Sequence, residues 1–403
     1  MQRMIAVIDW DGRLDEARRR VARGVPDGST VAGVHGGTAW AIAGGSAETV
    51  VRRAGLVLAG DVRLDDEGAL RHALGTDTHR GLELVGLAFE RWGARLAERL
   101  LGDFAFVVLD LSKRVALAVR DRFGVRPLAH RTFGGADAFA GAPAHLAAIS
   151  ETRPAIDDAS VAEYLDGREP PCSATFFEGI TRVPGGHTLR VCRDRATSER
   201  YWFPPRETAA GSRQTRLFEL RRLFEAAIAA RTPAAPVITL VSGGLDSSSI
   251  ACVAHGLAAA PLTLATGHFA EASERAFADS VATHLGRRIE LLETRPTPEI
   301  DDPLDPSHPS RYPLAAMTRA VTELARSIGA RVVFSGVGGD ELLFERGVFR
   351  DLARSGRWIT LYREASLATR YSTRSRRFHL DDAVRWLVPR ALARPLGAMR
   401  RRL

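Results

Sequence analysis

Residues 237 to 250 read VITLVSGGLDSSSI. Val237-Ile238-Thr239-Leu240-Val241 is a β-branched, apolar run bounded by turn residues, the pattern of a short buried strand. Ser242-Gly243-Gly244 breaks the run, and Leu245 to Ile250 leads into the helical pattern of Ala251-Cys252-Val253-Ala254. Strand, glycine turn and helix N-terminus in that order make an anion site. Glycine lets the backbone approach, while unpaired N–H groups and the helix dipole favour phosphate oxygens. Hydroxyls at Ser242 and Ser247 add donors, and Asp246 is a hard oxygen ligand suited to a phosphate-bound Mg2+. On local composition alone an ordinary Ser/Gly connection fits equally well, because both residues are common in turns. A Walker A loop is excluded: it needs a lysine after its last glycine, and the only lysine in the chain is Lys113.

At 403 residues the chain is too long for one average domain, and two is the natural expectation. Hydrophobic residues make up 45%, enough for ordinary cores, and no apolar run approaches a membrane span. The opening MQRMIAVIDWDGRLDE meets acidic residues before any long apolar stretch, so no signal peptide is expected. Cys172, Cys192 and Cys252 show no CxxC spacing, which argues against a disulfide framework or zinc site and fits a cytoplasmic location. The net charge of +8 is carried almost wholly by arginine, and a coding bias that replaces lysine accounts for most of it. The excess concentrates in Arg370, Arg374, Arg376, Arg377, Arg390, Arg394 and Arg400-Arg401-Arg402, a cluster able to attract an acidic peptide or partner. No nucleic-acid-binding motif accompanies it, so nucleic acid is not an expected partner.

Along the chain, Met4 to Ile8, Thr38 to Ala43, Leu56 to Leu58, Phe104 to Asp110 and Val115 to Arg120 read as strands. Leu14 to Val21, Glu67 to Leu74 and Leu82 to Leu100 read as helices, and hairpins with few helices suggest an α+β sandwich. Arg200-Tyr201-Trp202 with Pro204-Pro205 closes this first domain, taken as residues 1–205. In residues 206–403, a helix over Gln214 to Arg231 precedes the nucleotide strand. Strands at Leu262 to Gly267, Ile289 to Leu292 and Val332 to Ser335 then alternate with helices at Ser273 to Leu285 and Leu314 to Ile328. That alternation predicts a parallel sheet with ligands at the strands' carboxyl ends, and the proline-rich Asp301 to Pro313 reads as a surface loop near the substrate.

Ser242-Gly243-Gly244-Leu245-Asp246-Ser247 resembles the SGGxDS pyrophosphate loop of the ATP-pyrophosphatase (PP-loop) superfamily. Ser335-Gly336-Val337-Gly338-Gly339-Asp340-Glu341 resembles the second nucleotide motif of its asparagine synthetase-like amidotransferase branch. In the first domain, Gly60-Asp61-Val62-Arg63-Leu64-Asp65, Gly102-Asp103-Phe104-Ala105-Phe106 and Arg120 to Leu128 resemble the N-terminal-nucleophile glutaminase domain of asparagine synthetases. Thr175 to His187 is similar to that family's F-x-G-I-x-x-V-P-G-G-H connection. The implied fold is thus an α+β glutaminase-like sandwich followed by an α/β parallel-sheet ATP-pyrophosphatase domain. Gln2 stands where a working glutaminase carries its cysteine, no cysteine precedes Cys172, and the asparagine-glycine-glutamate triplet is missing, so glutamine hydrolysis is not expected.

The resemblance implies ATP and Mg2+. Ser242, Gly243, Gly244 and Ser247 would cradle pyrophosphate, and Asp246 and Asp340 would hold the metal. Leu240, Val241, Gly267, Ser335 and Gly336 would line the nucleotide, and Asp246, Asp340 and Glu341 would serve catalysis. For Asp340 a helix N-cap is the alternative. Asparagine synthetases carry glutamate, and β-lactam synthetases tyrosine, where this chain has Val337. With Gln2, that looks most like the lasso peptide macrolactam cyclases, which join a peptide's N-terminal amine to an internal Asp or Glu side chain. The substrate would then be a leader-free precursor peptide, and a leader-binding protein and a leader peptidase the expected partners. The family's catalytic lysine, from beyond the second motif, has no counterpart here; truncation, replacement by arginine or decay would each account for that. A small-molecule amide former and a nucleotide-binding scaffold without activity are the rival readings.

Overall fold

The computed structural model describes residues 4–25, 30–44, 49–150, 152–168, 171–205, 210–257, 260–267, 275–292, 315–339, 347–369 and 380. Of the described residues, those up to Arg231 and Ala315–Arg319 belong to one compact unit, and the rest from Thr232 onward to a second.

In the first unit, twelve strands among the described residues form two six-stranded antiparallel sheets. One runs in the order β10 (Ile180–Arg182), β8 (Ala129–Phe133), β9 (Ala136–Ala140), β1 (Ile5–Asp9), β3 (Thr38–Ala43), β2 (Thr30–His35). The other runs β12 (Arg195–Arg200), β11 (His187–Cys192), β7 (Val115–Arg120), β6 (Gly102–Asp110), β5 (Leu56–Leu64), β4 (Val50–Arg53). The period-two alternation of strand side chains builds the layers. Met4, Ala6 and Ile8 meet Val57, Ala59, Val107 and Leu109 between the sheets. Ile5 and Val7 face the opposite way, onto Ala17 and Val21 of α1 (Leu14–Gly24) and Leu146 of α5 (Pro143–Ala148). Beyond the second sheet, Leu58, Phe104, Phe106 and Val108 pack on Leu84, Val85 and Ala88 of α3 (Gly81–Trp92). The result is a helix–sheet–sheet–helix sandwich whose central strands are covered on both faces. That is why they read as unbroken apolar runs.

Several expected elements change at their ends. The helix expected over Leu82 to Leu100 breaks at Gly93, whose φ of 58° leaves the helical region, and resumes as α4 (Leu96–Arg99). β5 runs on through Gly60 to Leu64, because every residue pairs across to β6. The β8–β9 hairpin, rich in alanine and carrying His130, Arg131 and Asp137, has a weak strand signal and is formed by its sheet partners. Inside it Asp137 is buried and accepts hydrogen bonds from Trp10 Nε1 (2.7 Å) and Thr132 Oγ1 (2.5 Å), with His130 Nε2 at 2.8 Å.

In the second unit, β13 (Val237–Leu240), β14 (Leu262–Gly267), β15 (Ile289–Leu292) and β16 (Val332–Phe334) form a parallel sheet in the order β15-β14-β13-β16. From β13 the chain passes through α8 (Leu245–Leu257) to β14, then through α9 (Arg275–His284) to β15. It returns past α10 (Ala315–Ile328) to β16 on the other side of β13. The strand order therefore reverses between β13 and β16, and their carboxyl ends flank the crevice that such a switch point creates. Two helices, Gly347–Arg354 and Trp358–Ala368, stand where one was expected over Leu352 to Thr369, separated by Ser355-Gly356-Arg357. Among the described residues no helix is long and apolar enough to cross a membrane. Gln2, the 301–313 loop, residues 273–274, the expected helix at 380–399 (save Leu380) and the clustered arginines from Arg370 onward lie outside the described residues.

Candidate functional site

The loop that leaves β13 sits at this switch point. Val241 continues the sheet by one bond, its N–H donating to Ala265 O at 2.8 Å. Gly243 then turns the chain with φ 87°, a conformation side-chain-bearing residues rarely adopt. A Cβ at Gly243 would also lie 2.3 Å from Phe277 Cβ and 2.8 Å from Ala278 N, so α9 passes directly against the turn. The serines brace the loop from inside. Ser242 N–H donates to Ser247 Oγ (3.2 Å), Gly244 N–H to Ser242 Oγ (3.4 Å), and Ser247 Oγ to Gly244 O (3.3 Å). Ser247 is buried and its hydroxyl is bonded within the loop, whereas Ser242 is exposed. Beyond the loop, the first helical bond of α8 runs from Ser248 N–H to Gly244 O at 3.1 Å, and the N–H groups before it lie at the positive end of the helix dipole.

The second loop arrives from β16. Gly339 N–H donates to Gly336 O at 3.1 Å, closing a turn. A Cβ at Gly336 would fall 2.9 Å from Ser247 N and 3.2 Å from Asp246 Cβ. One at Gly339 would fall 2.3 Å from both Cγ and Oδ2 of Asp246. Two segments far apart in sequence thus close on one aspartate, and glycine is what lets the second backbone come that near. Asp246 is half-buried, and its carboxylate has no hydrogen-bond or ion-pair partner among the described residues. A carboxylate left open beside a phosphate-type loop suits Mg2+, which is commonly held by one or two carboxylates plus substrate phosphates.

Of the residues expected from sequence, Ser242, Gly243, Gly244, Asp246, Ser247 and Gly336 come together here. Leu240, Gly267 and Ser335 lie at the carboxyl ends of β13, β14 and β16, without a described contact to the loop. Asp340 and Glu341 lie outside the described residues. Phe277 was not foreseen: its only sequence signal was its place between Arg275 and Ala278, and its contact with Gly243 is purely tertiary.

In the first unit, the segment from Arg120 to Leu128 is tied into the scaffold. Buried Asp121 accepts the N–H groups of Phe123, Val125 and Arg126, at 2.9 to 3.2 Å. The Arg120 guanidinium donates to the carbonyls of Gly124, Arg126 and Val183, and burial lowers its pKa from the ordinary value. Tyr201 Oη donates to Arg120 O at 2.7 Å, and burial pushes the phenol above its ordinary range.

Fold and site define a two-domain protein: an N-terminal-nucleophile type sandwich followed by a parallel-sheet domain with a phosphate-type loop. Comparison with known families is consistent along the chain. A glutamine amidotransferase domain matches residues 65–202, and an asparagine synthase domain matches residues 219–400. Each match covers less than half of the chain, and the two lie in tandem. It is 29% identical over 176 residues to asparagine synthetase (glutamine-hydrolyzing) 3 of Bacillus subtilis, covering 43% of this chain and 29% of that protein. It is 27% identical over 310 residues to a putative asparagine synthetase (glutamine-hydrolyzing) of Mycobacterium bovis, covering 72% of this chain and 46% of the relative. The amidase chry2 of Gibberella zeae is 28% identical over 291 residues, covering 64% of this chain and 42% of the relative. The chain spans less than half the length of these relatives.

Proposed function

We propose that this chain forms amide bonds at the expense of ATP, activating a substrate carboxylate as an acyl-adenylate and passing the acyl group to an amine. The observation that carries the reading is the convergence of the Ser242–Ser247 loop and the Gly336–Gly339 turn on Asp246. The loop's amides, Ser242 Oγ and the α8 N-terminus would hold the phosphates, and these fixed donors would stabilise charge on the departing pyrophosphate. Asp246, with Asp340, would hold Mg2+, which supplies charge neutralisation on the phosphate chain. The substrate carboxylate attacks the α-phosphate, pyrophosphate leaves, and the amine then displaces AMP.

For the substrate we propose a peptide whose Asp or Glu side chain is joined to its own N-terminal amine, as in lasso peptide macrolactam formation. Val337, at the position of the family's glutamate or tyrosine, has no group able to transfer a proton, which supports an amine already within the substrate. A leader-binding protein and a leader peptidase are the partners this reading calls for. The names of the relatives favour a second reading, a small-molecule amide former. Purified chain incubated with Mg-ATP and a leader-free peptide should release AMP and pyrophosphate, and Asp246→Ala should abolish that release. Unchanged turnover in the variant would overturn the site assignment, and amide formation with free amino acids but not peptides would favour the second reading.

A further inference from the structure

Three large apolar side chains that stand in solvent belong to residues in, or next to, the segments that meet at the phosphate-type loop. Leu245, immediately before Asp246, is 87% exposed, and Val337, immediately after Gly336, is 85% exposed. Phe277, whose backbone abuts Gly243, is 63% exposed. Each comes from a different element: α8, the turn after β16, and α9. None is required by the phosphate chemistry, which uses backbone amides, hydroxyls and a carboxylate. Scattered exposed apolar residues need no explanation, but three on segments that meet at one polar loop suggest a surface that is covered in use. Small-molecule sites have this composition, mostly apolar walls around a few placed polar groups.

We infer that Leu245, Phe277 and Val337 form an apolar collar that receives the hydrocarbon part of the acyl donor and so selects a carboxylate flanked by apolar groups. The inference rests on the adenylate-forming reading above. The occupant follows from continuity: Leu245 and Val337 adjoin residues that meet at Asp246, and the activated carboxylate must come to the phosphate held there. Once filled, the collar excludes water from the acyl-adenylate and strengthens the loop's electrostatics by lowering the local dielectric.

The test uses the full 403-residue chain and two stable acyl-adenylate mimics, 5′-O-(N-acetylsulfamoyl)adenosine and its N-(4-phenylbutanoyl) counterpart. The phenylbutanoyl compound should bind at least about tenfold tighter by calorimetry. Leu245→Ser, Phe277→Ser and Val337→Ser should each cut that ratio while leaving acetyl-compound affinity unchanged; the wild-type side chains are solvent-exposed, so folding is preserved. Equal affinity for the two compounds, or a ratio indifferent to all three substitutions, would overturn the collar and leave the nucleotide site standing. Failure of both mimics and of ATP to bind would overturn the adenylate reading and the collar together.

Discussion

Replacing Gly339 with alanine tests the meeting of the two loops most directly. The added Cβ would lie 2.3 Å from Asp246 Cγ and Oδ2, against 3.4 Å for the near edge of ordinary contact, so the carboxylate must retreat by about 1 Å. Asp246 is only half-buried, so it can turn aside. An off-rotamer side chain costs about 0.5–1.5 kcal/mol, so folding stability should fall by about 1 kcal/mol, a drop of about 2–4 °C in the unfolding midpoint. The effect on ligand is larger, because a carboxylate moved by about 1 Å would no longer be placed to hold Mg2+, and misplacements of that size lower rates by about a hundredfold. Calorimetry separates the two. Affinity for Mg-ATP should fall on the order of tenfold, about 1.4 kcal/mol, while affinity for ATP in chelator stays at the wild-type value. A Gly339→Ala protein whose Mg2+ dependence matches wild type would refute both the contact and the role given to Asp246.

Gly243→Ala places a side chain at φ 87° and 2.8 Å from the Ala278 backbone; unfolding should show a loss of about 2–4 kcal/mol, with ATP binding abolished. Asp137→Ala leaves the buried Trp10, His130 and Thr132 groups without their acceptor, and urea unfolding should reveal a loss of about 3–5 kcal/mol. For Asp110, burial alone would raise the pKa, but hydrogen bonds from Lys113 and Ser112 outweigh it and hold the carboxyl below its ordinary range. Its contribution is thus full above the unfolded value of about 3.9 and is lost as pH falls through the lowered folded value. Lys113→Met should move acid unfolding, followed by circular dichroism, to higher pH by a small amount, since Lys113 is 72% exposed.

The central strands β13 and β14 and the loop after β13 were legible in sequence, because a parallel strand covered on both faces reads as a continuous apolar run and a glycine turn punctuates it. The first unit was less so. Its β8–β9 hairpin is held by pairing on both sides and by a buried aspartate whose donors include Trp10, far away in the chain, and no local pattern reports such partners.

By itself the sequence determined the chemistry on offer: glycines, serines and an aspartate where β13 ends, a second glycine-rich segment after β16, and no lysine in either. Only the tertiary structure decided that Gly336 and Gly339 close on Asp246, that α9 packs against Gly243, and that Leu245, Phe277 and Val337 stand exposed on the segments that meet there. Residue type and spacing report what a segment can do along its own strand or helix. The order in which strands join a sheet is set by packing summed over the whole unit, and that order brings the two loops together.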